Sequence, residues 1–183
     1  MKPLEGITVL EFSTMITASF AAMMMAEQGA KVIKVEPMNV GDPMRYIGAN
    51  KGGISSLFAN CNRGKQSIRV NLKESEGQEL IRELIPQVDI FIHNFRPGVM
   101  DKLNLGSEAL RVLNPRLIYA AISGFGKEGP LGGAPAYDPI IQAQAGLTAA
   151  QGKDEPSFFR TLICDKITAY TACQAVTCAL YVR

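Results

Sequence analysis

Asp165 stands at the mouth of the apolar stretch Ile167 to Val182, eighteen residues before the end of the 183-residue chain. An Asp there can serve either of two ends. It caps the free N–H groups of a first helical turn, or it is a carboxylate held ready to react. Three loops gather charge and turn residues: Gly41-Asp42-Pro43-Met44-Arg45, Asn62-Arg63-Gly64-Lys65-Gln66-Ser67, and His93-Asn94-Phe95-Arg96-Pro97-Gly98 with Lys102 a turn later. The last two adjoin strand ends, outside which open α/β sheets bind their ligands. Lys73, Arg96 and Lys102 are spaced as separate contributions to one pocket, which suits a ligand carrying several phosphates. Solvated surface charge is the plainer reading of any one of them. A fourth region, Ser123-Gly124-Phe125-Gly126 to Pro130 and then Ala136 to Ile140, reads as a glycine-rich loop walling a narrow channel before an Ala/Gln helix. From these residues alone the ligand is a phosphorylated small molecule.

The elements that must position these groups alternate. Ile7–Phe12 is an apolar β-type run, Thr17–Gln28 a helix rich in Ala and Met, and Gly29 its left-handed cap, before Lys31–Glu36 alternates as a second strand. Gln66–Leu72, Asp89–Ile92 and Leu117–Ile122 read as further strands, and Ser75–Ile85 and Ser107–Leu113 as helices. This order predicts an α/β fold, a doubly wound, mostly parallel sheet with helices on both faces, in one domain over 1–183. The turn Phe12 to Ser19 lacks the glycines that let a pyrophosphate approach the backbone, so Glu36 only imitates the ribose ligand of a dinucleotide site.

Composition narrows the partners. The chain is 47% hydrophobic and 20% charged with a net charge of +2, which gives no footprint for nucleic acid or an anionic membrane. No stretch suits a membrane span, and the first residues lack the order of a secretory signal. Cys61, Cys164, Cys173 and Cys178 form no CxxC pair and have no His at metal-ligand spacing, so no metal is expected and a reduced, cytoplasmic protein is. His93, the one histidine, reads as a strand-end residue rather than a base. The last apolar run ends at Arg183 without a Gly, Asn or Pro stop signal, which predicts that the chain is the front part of a longer protein.

Taken in order, several motifs resemble the N-terminal half of the family III coenzyme A transferases, a group that includes formyl-CoA and carnitine-type CoA-transferases, with α-methylacyl-CoA racemase as a relative. They are Pro3-Leu4-Glu5-Gly6-Ile7 to Phe12, Gly29-Ala30-Lys31 to Pro37, Gly41-Asp42-Pro43-Met44-Arg45, Asn62 to Ser67, Asn71-Leu72-Lys73, Asn94-Phe95-Arg96-Pro97-Gly98, Ser123-Gly124-Phe125-Gly126 and Tyr137-Asp138. The resemblance implies an acyl-CoA:carboxylate CoA-transferase with Asp165 as the catalytic nucleophile, kept ionised by the helix N-terminus. It implies CoA contacts from Ile16, Thr17, Asn71, Lys73, Arg96 and Lys102, and a substrate channel beside Tyr137, Gly124 and Gly126. CoA and acyl-CoA are then substrates, with no tightly bound cofactor, a carboxylic acid acts as acceptor, and the full-length protein forms an interlocked homodimer. The first turn departs from the family pattern, with Thr17-Ala18-Ser19 where Ala-Gly-Pro is usual.

Two alternatives follow. A 2-methylacyl-CoA racemase would carry histidine where this chain has Tyr137; a phenol, ordinarily ionising near pH ~10, is a poor base at neutral pH, which favours the transferase. A truncated, non-catalytic CoA-binding remnant is the other, and 183 residues alone are expected to show little turnover.

Overall fold

The computed structural model describes residues 1–183. Its core is a sheet of five parallel strands: β1 (Thr8–Phe12), β2 (Lys31–Glu36), β5 (Gln66–Arg69), β6 (Ile90–His93) and β7 (Ile118–Ala121), in the order β5-β2-β1-β6-β7. A two-stranded ribbon of β3 (Asn50–Lys51) and β4 (Ile54–Ser55) lies apart from it. The helices are α1 (Thr17–Glu27), α2 (Ser56–Asn62), α3 (Ser75–Leu84), α4 (Val99–Lys102), α5 (Ser107–Leu113), α6 (Asp138–Gln144), α7 (Leu147–Gln151) and α8 (Ile163–Val182). The expected doubly wound α/β architecture is present. No helix is long and apolar enough to cross a membrane.

The two faces of the sheet bury different side chains, as the period-2 alternation of a strand requires. On one face Val9, Val32, Ile90 and Ile92 pack against Ala18, Ala21, Ala22 and Met25 of α1 and Ala169, Cys173 and Val176 of α8. The small Ala side chains let both helices lie close to the strands. On the other face Leu10, Phe12, Val35 and Phe91 pack against Ile81, Met100 and Leu110 of α3, α4 and α5. Leu10 lies in register with Ile33 and Phe91, and Phe12 stacks on the Phe91 ring at 4.7 Å.

Towards the carboxyl ends of the strands the first face changes from apolar to ionic. Val9 is followed on that face by Glu11, and Val32 by Lys34 and Glu36, all nearly inaccessible to solvent. Lys34 Nζ pairs with Glu11 Oε1 at 2.8 Å and Asp42 Oδ2 at 3.0 Å, and Lys65 Nζ with Glu11 Oε2 at 2.6 Å. Buried charges persist only when paired in this way. Lys65 belongs to a loop that gathers charge beside a strand end, yet its side chain turns inward. Glu36 is equally spoken for. It accepts two bonds from Arg45 and one each from Ser67 and the Asp42 N–H. These partners hold its carboxyl near 2 against the cost of burial, so it is not a free ligand group.

Boundaries match expectation at β2 and α5 and shift by one to three residues elsewhere, with one larger and consequential case. The last helix begins at Ile163, so Asp165 lies inside its first turn instead of preceding it.

Candidate active site

β1 is followed by neighbours on both sides, β2 and then β6, so the strand order reverses there and a crevice opens outside the strand ends. A cleft of about 360 Å³ occupies it. The turn after β1 supplies Thr14, Met15, Ile16 and Thr17; the turn after β6 supplies Asn94 to Pro97. The loop after β7 and the start of α6 add Gly124, Tyr137 and Asp138, and α8 adds Cys164, Asp165 and Thr168.

Asp138 explains the local geometry of α8. No side chain of the residue preceding this helix caps it; instead Asp138 Oδ2, from α6, accepts the backbone N–H of Asp165 at 3.0 Å. Asp138 is buried, and Gln142, one turn later, donates to its other oxygen. Gln142 also accepts the Phe159 N–H at 2.9 Å, tying α6 to the segment that leads into α8. Capping and reactivity were expected to compete for the Asp165 oxygens. The structure removes that conflict, because another carboxylate does the capping and Asp165 lines the cleft.

The helix N-terminus was expected to keep Asp165 ionised. Burial, and secondarily the neighbouring Asp138 charge, push it up to about 6. It is still mostly ionised at neutral pH, and as a weaker acid it is the better nucleophile of the two states an Asp can be tuned to.

Of the residues singled out from the sequence, Ile16, Thr17, Arg96, Gly124, Tyr137 and Asp165 share this cleft. Asn71, Lys73, Lys102 and Gly126 do not line it. Lys73 and Lys102 are exposed at the surface, and Asn71 Oδ1 takes the Lys73 N–H in a turn leading into α3. The three cations therefore do not converge on one pocket; Arg96 alone reaches the cleft. Gly124 is required by close approach, since a Cβ there would clash with the Ala136 Cβ. His93 ends β6 as expected, buried among Phe91 and Tyr119 on the far face and pushed down to about 4 by burial. Asn94, given no role from the sequence, grips the first turn by accepting the Thr14 N–H and donating to the Thr14 carbonyl and the Thr17 hydroxyl. Its place in an Asn-Phe-Arg-Pro-Gly turn at a strand end was the available signal.

The sequence pattern of CoA-transferase family III matches residues 4–183. The chain belongs to that family. It is 42% identical over 150 residues to an acetyl-CoA:oxalate CoA-transferase of Acetobacter aceti, covering 82% of this chain and 39% of that protein. It is 35% identical over 181 residues to a succinyl-CoA:glutarate CoA-transferase of Mus musculus, covering 96% and 42% respectively. A solved CAIB/BAIF family protein from Brucella suis superposes with a TM-score of 0.94 at 35% identity, over all of this chain and 50% of that one. The chain thus spans less than half the length of these two curated family III relatives.

Proposed function

We propose that this chain supplies the nucleophile-bearing half of an acyl-CoA:carboxylate CoA-transferase, a longer protein in which Asp165 is the group that reacts. One observation carries the reading: a half-buried carboxylate, relieved of capping by Asp138, faces a cleft at the switch point of the sheet. An Asp165 oxygen attacks the thioester carbonyl, the C–S bond breaks, and CoA leaves as thiolate with a mixed anhydride on the enzyme. The thiolate attacks the Asp165 carbonyl and expels the donor acid, which gives an aspartyl-CoA thioester. The acceptor carboxylate then attacks that thioester to form a second anhydride. The returning thiolate takes its acyl group and restores Asp165. No net proton, water or electron is consumed. Developing oxyanions favour backbone donors, and the N-terminus of α1, which has no side-chain cap, begins at the cleft with Ile16 and Thr17.

The cleft volume suits the pantetheine arm and acyl group. The nucleotide end then lies outside it, with Arg96 nearest and Lys73 and Lys102 as surface cations along its course. The acceptor class is a small carboxylic acid, and the homodimer expected of the full-length protein belongs to the same proposal. Tyr137, at the position where a racemase needs a second proton-transfer group, favours the transferase over the epimerase.

With the full-length protein and an acyl-CoA, isotopically labelled oxalate or glutarate is expected to appear as its CoA thioester with ping-pong kinetics. Exchange of the α-proton with deuterated water in the absence of any acceptor acid would establish the racemase instead.

The tuning of Asp165 gives a pH signature. CoA release at low acyl-CoA is expected to rise about tenfold per pH unit up to a midpoint near 6, where the carboxyl ionises. Asp138→Asn removes the secondary cause, so the midpoint is expected to fall while remaining above that of an ordinary carboxyl because burial persists. A midpoint that stays or rises in that variant would disprove the pairing.

A further inference from the structure

The Gly41-Asp42-Pro43-Met44-Arg45 turn contributes no residue to the cleft, yet it sends one carboxylate towards the cleft wall. Asp42 is fully buried. Its Oδ1 accepts the Met15 backbone N–H at 3.2 Å and the Met44 N–H at 2.9 Å. Its Oδ2 pairs with Lys34, whose Nζ also donates to the Ser13 carbonyl at 3.1 Å and pairs with Glu11. Lys65 closes the row, pairing with Glu11 and donating to the Ser19 carbonyl at 2.8 Å. The four charges alternate in sign, Asp42, Lys34, Glu11, Lys65, and three of them bond directly to backbone between Ser13 and Ser19.

Two facts separate this row from ordinary core stabilisation. A buried ion row is a poor way to gain stability compared with apolar packing, and the same sheet face is apolar one residue pair below. Met15, moreover, holds a φ of 64°, a left-handed conformation that an L-residue keeps only where its surroundings impose it. Asp42 holds the N–H of Met15 itself, and Asn94 clasps Thr14 beside it.

We infer that Asp42 is a positioning residue: without touching ligand, its carboxylate links the buried ion row to Met15 and fixes the turn Ser13–Thr17 in the shape that receives CoA. This rests on the CoA-binding reading above. Lys34 works through the same turn from the Ser13 side, so Asp42 and Lys34 act as one unit. Gly41 belongs to it as well: at φ 68°, a Cβ there would meet Glu36 Oε2 at 2.7 Å and displace Asp42.

In the full-length protein, Asp42→Ala is expected to weaken binding of free CoA about tenfold or more in calorimetric titration, the scale of an unsupported strained turn. Adding Met15→Gly is expected to recover part of that loss, because glycine takes a positive φ without steric penalty. General destabilisation predicts the reverse, since Met15→Gly strips a side chain that packs against Ile16, Met44 and Cys61. Asp42→Asn keeps an acceptor but loses the charge facing Lys34, so it is expected to fall between, and it serves where the Ala variant does not fold. Amide hydrogen exchange without CoA is expected to quicken at residues 13–17 in either Asp42 variant while 90–93 stays protected. That arm reads the turn directly even if the wild type binds no CoA, a result that would sink the functional reading instead. Unchanged exchange at 13–17, wild-type CoA affinity in a folded Asp42 variant, or no recovery with Met15→Gly overturns the inference.

Discussion

Asp165→Asn is expected to lower CoA release from acyl-CoA by at least about a thousandfold while making the folded protein more stable at neutral pH. The loss follows from removing the only oxygen nucleophile that the reading assigns, in a site where an amide cannot form the anhydride. The gain follows from linkage. An Asp whose carboxyl ionises near 6 when folded and near its ordinary 3.8 when unfolded binds more protons in the folded state between those values. Stability therefore falls as pH rises through that window, and the full cost is present above it. Asparagine carries no such cost. Allowing for screening at a half-buried group, the gain is on the order of 1–2 kcal/mol at pH 7 to 8 and vanishes below about pH 4. Chemical unfolding of wild type and variant at pH 4 and pH 7.5 measures it. A trade of stability for function is characteristic of reactive sites, whereas loss of both together would mark Asp165 as structural.

Glu11→Ala is expected to cost about 3–5 kcal/mol, because it strands Lys65 and strips Lys34 of one of two carboxylates in a site closed to water. Lys65 already titrates near 8, burial outweighing its pairing with Glu11. Without Glu11 it loses its proton at lower pH still. The folded variant then binds fewer protons than the unfolded chain over a window that opens below 8, so its stability rises with pH there. The deficit against wild type is accordingly expected to be widest in mildly acidic buffer and to narrow towards pH 8. Urea unfolding at pH 6 and pH 8 measures both size and slope. The exposed pair Arg63–Glu27 serves as the control, and Arg63→Ala is expected to leave the unfolding midpoint unchanged.

The layout of the sheet could be read from the chain, whereas its ionic interior could not. Ile7–Phe12, Thr17–Gln28 and Lys31–Glu36 follow local rules of alternation, helix composition and a Gly stop, and each appears within two residues of the observed element. Lys34 shows where those rules end. In Lys31-Val32-Ile33-Lys34-Val35-Glu36 the alternation fixes which residues share a face, but a charge on that face normally means solvent. Here the face is covered by the β1–α1 turn, and the partner Glu11 comes from another strand. Lys65 was misplaced for the same reason, since its carboxylate lies 54 positions earlier in the chain. The start of α8 was missed because its cap is Asp138, 27 positions upstream. The apolar run Ile167 to Val182 marks only the body of that helix. Asp165 was singled out by its residue type and its place before an apolar run, and the family resemblance gave it the nucleophile's part; the contact that caps its N–H and leaves its side chain on the cleft, from Asp138, is tertiary.

Peptide mapping after incubation with an acyl-CoA and hydroxylamine identifies the carboxyl that takes up the acyl group or CoA, because an activated enzyme carboxyl is converted to a stable hydroxamate where it stands. The mass change is expected on the peptide bearing Asp165 and is expected to be absent in Asp165→Asn. A hydroxamate on Asp138 or any other carboxylate, or acyl transfer that leaves no trapped carboxyl on the enzyme, would rule out Asp165 as the group that reacts.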